Sequence, residues 1–192
     1  MLMEYTPSSS NWYPVMSLKP PGMHRLEAIQ AIAHGSDSAM YFQWRQSRGS
    51  QEKFHGAVIG VGRGENSRVF TEVQTVGTDL EYLQNVLGGA TQAEVALIYD
   101  WEVAWALDHA CGPMQKNKGY FDTCLDHYLP FWHAGVPVDV LSSDQDLSGY
   151  RLVIAPMLYL LKPGVAQRLE AFVQGGGVVV STYMTGYTDE ND

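Results

Sequence analysis

The segment MEYTPSSSNWYP, residues 3–14, decides how the start of this chain is interpreted. Its first residues are typical of a strand end, and the Ser, Asn and Pro residues after them are typical of a loop that runs to Pro21. The spacing predicts a helix over about residues 23–34, and the run SAMYFQW at 38–44 predicts the next strand. Strands that alternate with helices pair in parallel, so the sequence predicts an α/β fold.

The predicted helix has one apolar face, formed by Leu26, Ile29 and Ala33, and Gly35 is well placed to end it. We expect this face to pack on the sheet. We also expect strand 38–44 to be covered on both sides, because it is apolar and aromatic with little alternation. A further helix is predicted over about residues 68–87 from apolar residues at helical spacing: Val69, Val73, Val76, Leu80, Leu83 and Leu87.

The second half of the chain repeats the alternation of strands and helices. Strands are predicted at EVALIYD, VDVL, RLVIAP and GGVVVSTY, and helices near residues 101–110, 118–134 and 164–174. This order predicts a flavodoxin-like α/β unit whose sheet is incomplete at the final residues.

Composition excludes several classes of function. The chain has 192 residues and a formal charge of −9, from 21 acidic and 12 basic residues, so it repels nucleic acid and anionic lipid. No apolar run approaches the roughly 18 residues of a spanning helix. Cys111 and Cys124 lack the spacing of a metal site, and we expect idle thiols of a reducing compartment, no metal and no cofactor.

Glu4 is the candidate reactive residue. It is placed at the C-terminal end of a parallel strand, where barrel enzymes carry reactive side chains. Retaining glycoside cleavage needs one carboxylate that attacks the anomeric carbon and a second carboxyl group that protonates the leaving oxygen. The loop after Glu4 offers Asn11 for sugar hydroxyls and the ring of Trp12 for the apolar face of a pyranose.

Three motifs extend this interpretation to a family. The strings MEYTPSSSNW, AHGSDSAMYFQWRQS and QEKFHGA together resemble the second half of the catalytic barrel of the family 42 glycoside hydrolases, which are bacterial β-galactosidases. The resemblance implies a fold class: the last two βα units of a (β/α)8 TIM barrel, followed by a flavodoxin-like or class I amidotransferase-like α/β domain. It divides the chain into residues 1–65 of the barrel, a linker helix at 66–90 and a truncated trimerisation domain at 91–192.

The resemblance also implies roles for four residues. Glu4 corresponds to the nucleophile and Trp12 to a residue that lines the galactose pocket, while Glu52 and His55 correspond to a pair that binds galactose hydroxyls. The implied activity is hydrolysis of terminal non-reducing β-D-galactose residues in β-D-galactosides, by a homotrimeric, cytoplasmic enzyme complex.

The family's proton donor is a glutamate that follows an Asn, and no Asn in this chain is followed by Glu. We therefore expect the chain to be an internal piece of a larger enzyme and to be inactive alone.

Several alternatives remain open. Glu52 and His55 are three residues apart and would share one face of a helix, where they could hold two neighbouring hydroxyls; without the family match, an exposed helical pair of little consequence is the favoured interpretation. Trp44 is either part of the pocket floor or of the core. IGVGRGE at 59–65 lacks the third glycine of a dinucleotide-binding motif, so nucleotide binding is not expected.

Two other functions also compete with the enzyme interpretation. Residues 91–192 are alternatively a non-catalytic association module, with Met157 and Leu158 where an amidotransferase needs its nucleophilic Cys, and with aromatic interface candidates at Trp101, Trp105, Tyr128 and Trp132. A stand-alone sugar-binding protein that uses Trp12, Glu52 and His55 is the third possibility.

Overall fold

A computed structural model describes residues 2–86, 88–112, 115–116 and 118–191. The chain folds as two compact units, Met1–Thr91 and Gln92–Asp192. Leu87, the last position of the predicted helical stripe, lies outside the described residues. No helix in the described part of the chain is long and apolar enough to cross a membrane.

The first unit alternates strands and helices as predicted. Its elements are β1 (Leu2–Tyr5), α1 (Met23–Ala33), β2 (Ala39–Tyr41), a 3₁₀ turn (Gln51–Phe54), α2 (Arg68–Tyr82) and a second 3₁₀ turn (Gln84–Val86). β1 and β2 pair in parallel. The parallel pairing expected from the strand–helix–strand order is therefore confirmed.

The buried face of α1 differs from the predicted one. His24, Ala28 and Ile32 are buried, whereas Leu26 is 62% exposed and Ala33 is exposed. The reason is a tertiary contact: the ring of Tyr5, on β1, stacks on His24 at 5.1 Å between centroids, and this contact selects the helix face that begins at His24. The prediction that Leu26 faces the sheet is wrong for the described residues.

Strand β2 is shorter and less covered than predicted. It spans three residues, and Met40 in its middle is 49% exposed. The Phe42 N–H donates a hydrogen bond to the Tyr5 carbonyl. After Phe42 the chain leaves the sheet, and the backbone of residues 43–44 accepts hydrogen bonds from residues 58–59 instead. Trp44 on this segment is 60% exposed and lies edge-on to the ring of Phe70, so it is not a core residue of this unit.

Helix α2 has the apolar stripe that its sequence predicts, and it docks on α1. Ser67 caps the helix by accepting a hydrogen bond from the Phe70 N–H, and Val76 is buried on the inner face. An ion pair between Arg25 and Asp79 ties the two helices together at 2.5 Å. Val76 and Ala28 then join Tyr5 in one small apolar cluster.

The second unit is a parallel sheet with helices. Its elements are β3 (Val95–Ile98), α3 (Trp101–His109), α4 (Tyr120–Ala134), β4 (Val138–Leu141), β5 (Leu152–Ala155), β6 (Leu160–Leu161), α5 (Val165–Gln174), β7 (Val178–Ser181) and β8 (Thr188–Asp189). The main sheet has the strand order β4-β3-β5-β7, and β6 pairs with β8 separately. All four residues of β3 are buried, as expected for a central strand of a parallel sheet.

One buried ion pair lies at the carboxyl end of β3. The Asp100 carboxylate is 1% exposed and accepts hydrogen bonds from the Ser143 N–H at 3.1 Å, the Ser142 hydroxyl at 2.7 Å and the Lys162 ammonium at 3.1 Å. Burial alone would raise the pKa of Asp100, but these hydrogen bonds outweigh it and the pKa is lowered. The network therefore stabilises the unit at neutral pH, and this contribution is lost as the pH falls through the lowered pKa.

Replacing Lys162 with Met should destabilise the second unit by about 3 kcal/mol, because the Asp100 carboxylate is left buried without its counter-ion. Urea unfolding followed by far-UV circular dichroism measures the loss. Arg151→Met is the matched control, since its pair with Glu94 is exposed, and we expect less than about 1 kcal/mol there. Equal effects of the two substitutions would contradict the structural role of the buried pair.

The first unit should lose stability in mild acid through His24. This imidazole is 0% exposed, both of its ring nitrogens lack partners among the described residues, and burial together with the Lys19 charge lowers its pKa. The unfolded chain therefore binds a proton that the folded chain does not, and stability falls as the pH drops below about 6.5.

The variant His24→Phe keeps a ring between Tyr5 and Tyr41 but cannot bind a proton. We therefore expect it to lose less free energy of unfolding in acid than the unmodified chain, by about 1.4 kcal/mol for each unit by which folding lowers the pKa of His24. Unfolding of the two proteins at pH 7.5 and pH 5 is the measurement. The exposed His133→Phe serves as a control that should leave the pH dependence unchanged. If His24→Phe behaves like that control, His24 is not the acid-sensitive group.

Candidate active site

Glu4 lies next to an irregularity in β1. Leu2 pairs with Ala39 and Tyr5 with Tyr41, so β1 uses three steps where β2 uses two. Leu2 and Tyr5 consequently both pack into the apolar cluster, while Met3 and Glu4 between them are exposed. Such register shifts re-aim side chains. Here the shift leaves Glu4 exposed, whereas strict alternation would put it on the same face as Leu2.

The loop after β1 is held by its backbone. Ser8, Ser9 and Ser10 are buried although they are polar. The Ser8 carbonyl accepts from the Lys19 N–H at 2.8 Å, and the Ser9 carbonyl accepts from the Gly56 N–H at 2.8 Å and from the Thr6 hydroxyl at 2.9 Å. These bonds fix the path of the chain just before Asn11 and Trp12.

Asn11 and Trp12 both reach the segment around residues 51–55. The Asn11 side-chain amide donates to the Gln51 carbonyl at 2.7 Å. The ring of Trp12, which is 57% exposed, lies against the ring of His55 at 4.7 Å between centroids. The structure therefore brings Trp12 and His55 together, two of the four residues predicted from the sequence, although they are 43 positions apart.

His55 is held on three sides. It is 1% exposed, Trp12 lies against its face, and Phe42 meets its ring edge-on at 5.0 Å. Its Nδ1 lies 2.8 Å from the Gly56 carbonyl oxygen. Because a carbonyl only accepts, Nδ1 carries the proton of the neutral ring, and Nε2 is left as an acceptor. Nε2 has no hydrogen-bond partner among the described residues.

Glu52 lies in the 3₁₀ turn, and His55 follows that turn in extended conformation. The two are therefore not an exposed pair on one α-helix, which was one of the open alternatives. Glu52 is half-buried, and its Oε2 has no partner in the described part of the chain. A buried carboxylate oxygen and a buried imidazole nitrogen without partners are costly unless a ligand completes them.

Other polar atoms share this property and were missed by the sequence analysis. Within the described residues, buried side-chain atoms without a partner also include Ser10 Oγ and Asn11 Oδ1 in the loop after β1 and Gln43 Nε2 in the segment after β2. Phe42 was also missed as the residue that supports His55. Farther along the motif FQWRQS, the side-chain amide of Gln46 donates to the Lys53 carbonyl at 3.0 Å.

In the second unit, Asp100 Oδ2 and Ser143 Oγ are also buried without a partner among the described residues, but they belong to the network in which Lys162 is the counter-ion. Met157 follows β5 with a φ of 43°, a conformation uncommon for a residue other than glycine, but its thioether is no nucleophile and is buried. Trp101 and Trp105 are 63% and 59% exposed. Among the described residues, no group of three or more His, Cys, Asp or Glu side chains is arranged to hold a metal ion.

Comparison with known sequences defines the class of protein. The family model for the β-galactosidase trimerisation domain matches residues 93–192, and the model for the β-galactosidase family matches residues 1–83. The chain belongs to the β-galactosidases of glycoside hydrolase family 42.

Individual relatives agree with this assignment. The chain is 54% identical over 192 residues to β-galactosidase Pbg of Clostridium perfringens and 52% identical to β-galactosidase BglY of Alicyclobacillus acidocaldarius. Each match covers the whole of this chain and 28% of the relative, so the chain spans just over a quarter of their length.

Solved structures of β-galactosidases match this chain over nearly its whole length and over a similar share of their own. The β-galactosidase from Rahnella sp. R3 is 52% identical with a TM-score of 0.92, and the match covers 99% of this chain and 28% of that one. The β-galactosidase from Bacillus circulans sp. alkalophilus is 43% identical, also with a TM-score of 0.92, and covers 100% of this chain and 28% of its own. These likenesses confirm the α/β fold.

Proposed function

We propose that these 192 residues form part of a retaining β-galactosidase, which hydrolyses terminal non-reducing β-D-galactose residues in β-D-galactosides. The observation that carries the proposal is the arrangement at His55. Its Nε2 and the Glu52 Oε2 are buried without partners beside the exposed ring of Trp12, in a chain that belongs to a family of β-galactosidases. A sugar supplies both needs of such a site, hydroxyl groups for the polar atoms and an apolar face for the ring.

In this proposal Glu4 is the nucleophile. Its carboxylate oxygen attacks C1 of the galactose while the bond from C1 to the leaving oxygen breaks, and a galactosyl ester forms. Water then attacks C1, releases galactose and regenerates the carboxylate. The exposure of Glu4 between Leu2 and Tyr5, which both pack in the apolar cluster with residues of α1 and α2, supports this role, because barrel enzymes carry reactive side chains at the C-terminal ends of their strands.

His55, Glu52 and Trp12 bind the sugar. His55 accepts a hydrogen bond from one galactose hydroxyl through Nε2, because its Nδ1–H already donates to the Gly56 carbonyl. The Glu52 carboxylate accepts from another hydroxyl, and the Trp12 ring stacks on the pyranose. Phe42 keeps the imidazole in place from its edge.

The proposal assigns the first unit to a catalytic barrel. Residues 1–65 supply its last two βα units, residues 66–90 a linker helix and residues 91–192 the association domain, which is flavodoxin-like. The parallel pairing of β1 with β2 and the helix between them support the barrel assignment. The order β4-β3-β5-β7 supports the flavodoxin-like assignment, since it reproduces the first four positions of that strand order.

A second carboxyl group must protonate the leaving oxygen, about 5–5.5 Å from the nucleophile. No Asn-Glu pair of the kind expected for this group occurs in the sequence. We therefore propose that the acid–base group comes from outside these 192 residues, and that they are inactive alone. The second candidate function, a non-catalytic association module, is favoured for residues 93–192 by their match to a trimerisation domain.

The enzymatic proposal is tested in a hybrid enzyme, in which these 192 residues replace the matching segment of the Clostridium perfringens relative. We expect the hybrid to hydrolyse an aryl β-D-galactoside, and Glu4→Ala to lower kcat on the order of 10⁴-fold or more, because the covalent step is lost. A fluorinated galactosyl inactivator followed by peptide mapping should label Glu4. Glu65→Ala, at an exposed loop carboxylate, is the matched control and should keep full activity.

An inactive hybrid, an active Glu4→Ala variant or a label on another residue would each overturn the assignment.

Self-association is the second testable part of the proposal. We propose that the intact enzyme is a homotrimer, with exposed aromatic residues such as Trp101 and Trp105 in its interface. Light scattering of the hybrid should give a mass of three subunits, and Trp101→Asp combined with Trp105→Asp should lower it. A strictly monomeric hybrid contradicts the trimer, and an unchanged trimer in the double variant removes these residues from the interface.

A further inference from the structure

Gly56 lies where the two halves of the candidate sugar site meet. It follows His55 directly, it is buried, and its N–H donates to the Ser9 carbonyl at 2.8 Å. Ser9 belongs to the loop that carries Asn11 and Trp12. The backbone of residue 56 therefore touches the loop of Trp12 on one side and the imidazole of His55 on the other.

There is no room for a side chain at this position. A Cβ on Gly56 would lie 2.2 Å from the Ser8 hydroxyl oxygen, 2.7 Å from the Ser9 nitrogen and 2.8 Å from the Ser9 carbonyl oxygen. Two of these atoms are backbone, which cannot rotate away. Gly177 is also crowded, but the atoms that it meets belong to the Phe172 side chain. The need for glycine at position 56 is steric, since its φ is not in the left-handed region.

The carbonyl of Gly56 has a second task. It accepts the hydrogen bond from Nδ1 of His55 at 2.8 Å and so determines that Nε2, which has no partner in the described part of the chain, is the acceptor of the ring. A shift of this peptide would change both the direction of the imidazole and the distance between the Ser8–Ser9 backbone and His55. One residue thus sets the ring tautomer and the approach of the Trp12 loop.

We propose that Gly56 is a positioning residue of the galactose site, which acts through the orientation of His55 and does not touch the sugar. The inference rests on the proposed function, because it concerns how that site binds its substrate. It adds a residue outside the four that the motifs indicate, and it predicts that the smallest possible side chain at position 56 impairs sugar binding.

The test is a double-mutant cycle in the hybrid enzyme, with the concentration of active sites titrated by the fluorinated inactivator. Gly56→Ala should lower kcat/KM for an aryl galactoside on the order of 10²-fold, with a raised KM. Gly64→Ala is the matched control: its Cβ meets nothing within 4 Å and its φ is also outside the left-handed region, so we expect no change. The same variants are measured with and without His55→Ala.

If Gly56 acts through His55, the two losses are not independent, and Gly56→Ala should cost little further in the His55→Ala background. If the fold-losses in kcat/KM of Gly56→Ala and His55→Ala multiply in the double variant, the proposal is overturned, because independent losses indicate a general structural effect. Wild-type kinetics in Gly56→Ala would overturn it too. A failure of the proposed function is recognised by a different result: the Glu4→Ala variant would then remain active.

If the Gly56→Ala variant does not fold, the proposal is tested with a second variant, Thr6→Val. This near-isosteric change removes the hydroxyl that donates to the same Ser9 carbonyl at 2.9 Å and adds no atoms at position 56. We expect a raised KM of smaller size, again with little further loss in the His55→Ala background. A Thr6→Val enzyme with unchanged KM, or with a loss that multiplies that of His55→Ala, would overturn the proposal as well.

Discussion

The parallel pairing of β1 with β2 is the constraint on which the candidate site depends. It brings Phe42 to the Tyr5 carbonyl, one residue beyond Glu4, and it anchors the segment that continues to His55. The register shift within the pair decides which side chains face the helices and which do not. Without that shift, strict alternation would put Leu2 and Glu4 on the same face, whereas in the structure Leu2 joins Tyr5 in the cluster and Glu4 is left exposed.

Both units have buried polar groups at the carboxyl ends of parallel strands. At the end of β3, one oxygen of the Asp100 carboxylate is bound by Ser142, Ser143 and Lys162, while Asp100 Oδ2 and Ser143 Oγ have no partner in the described residues. Around His55, several polar atoms also have no partner in that part of the chain. The two regions differ in their surroundings. The Asp100 carboxylate has its counter-ion in Lys162, which agrees with a structural role, whereas His55 lies beside the exposed ring of Trp12, which agrees with a binding role.

The order of helices and strands could be predicted from the sequence because the spacing of apolar residues and the positions of glycine and proline depend only on neighbouring residues in the chain. Helices α1, α3, α4 and α5 lie within two residues of their predicted ranges, whereas α2 begins as predicted but ends at Tyr82 instead of near residue 87 and is followed by a 3₁₀ turn. Prediction failed where the answer depends on what covers a surface: the choice between the Leu26 and His24 faces of α1 is made by Tyr5, and the exposure of Trp44 follows from the path of the chain after Phe42. For the site, motif resemblance supplied Glu4, Trp12, Glu52 and His55. Phe42 and Gly56 were missed, because their importance arises from contacts with residues more than ten positions away.

The position of β7 at one end of the four-stranded order has a practical consequence. It pairs with β5 on one side, and no strand of the described residues pairs with its other side. Its side chains Val178 and Val180 are 56% and 42% exposed. An extended apolar strand with free amide and carbonyl groups is a template for another extended segment. Concentrated solutions of the separate 192-residue chain should therefore form intermolecular β-sheet, which would compete with the specific association of folded subunits.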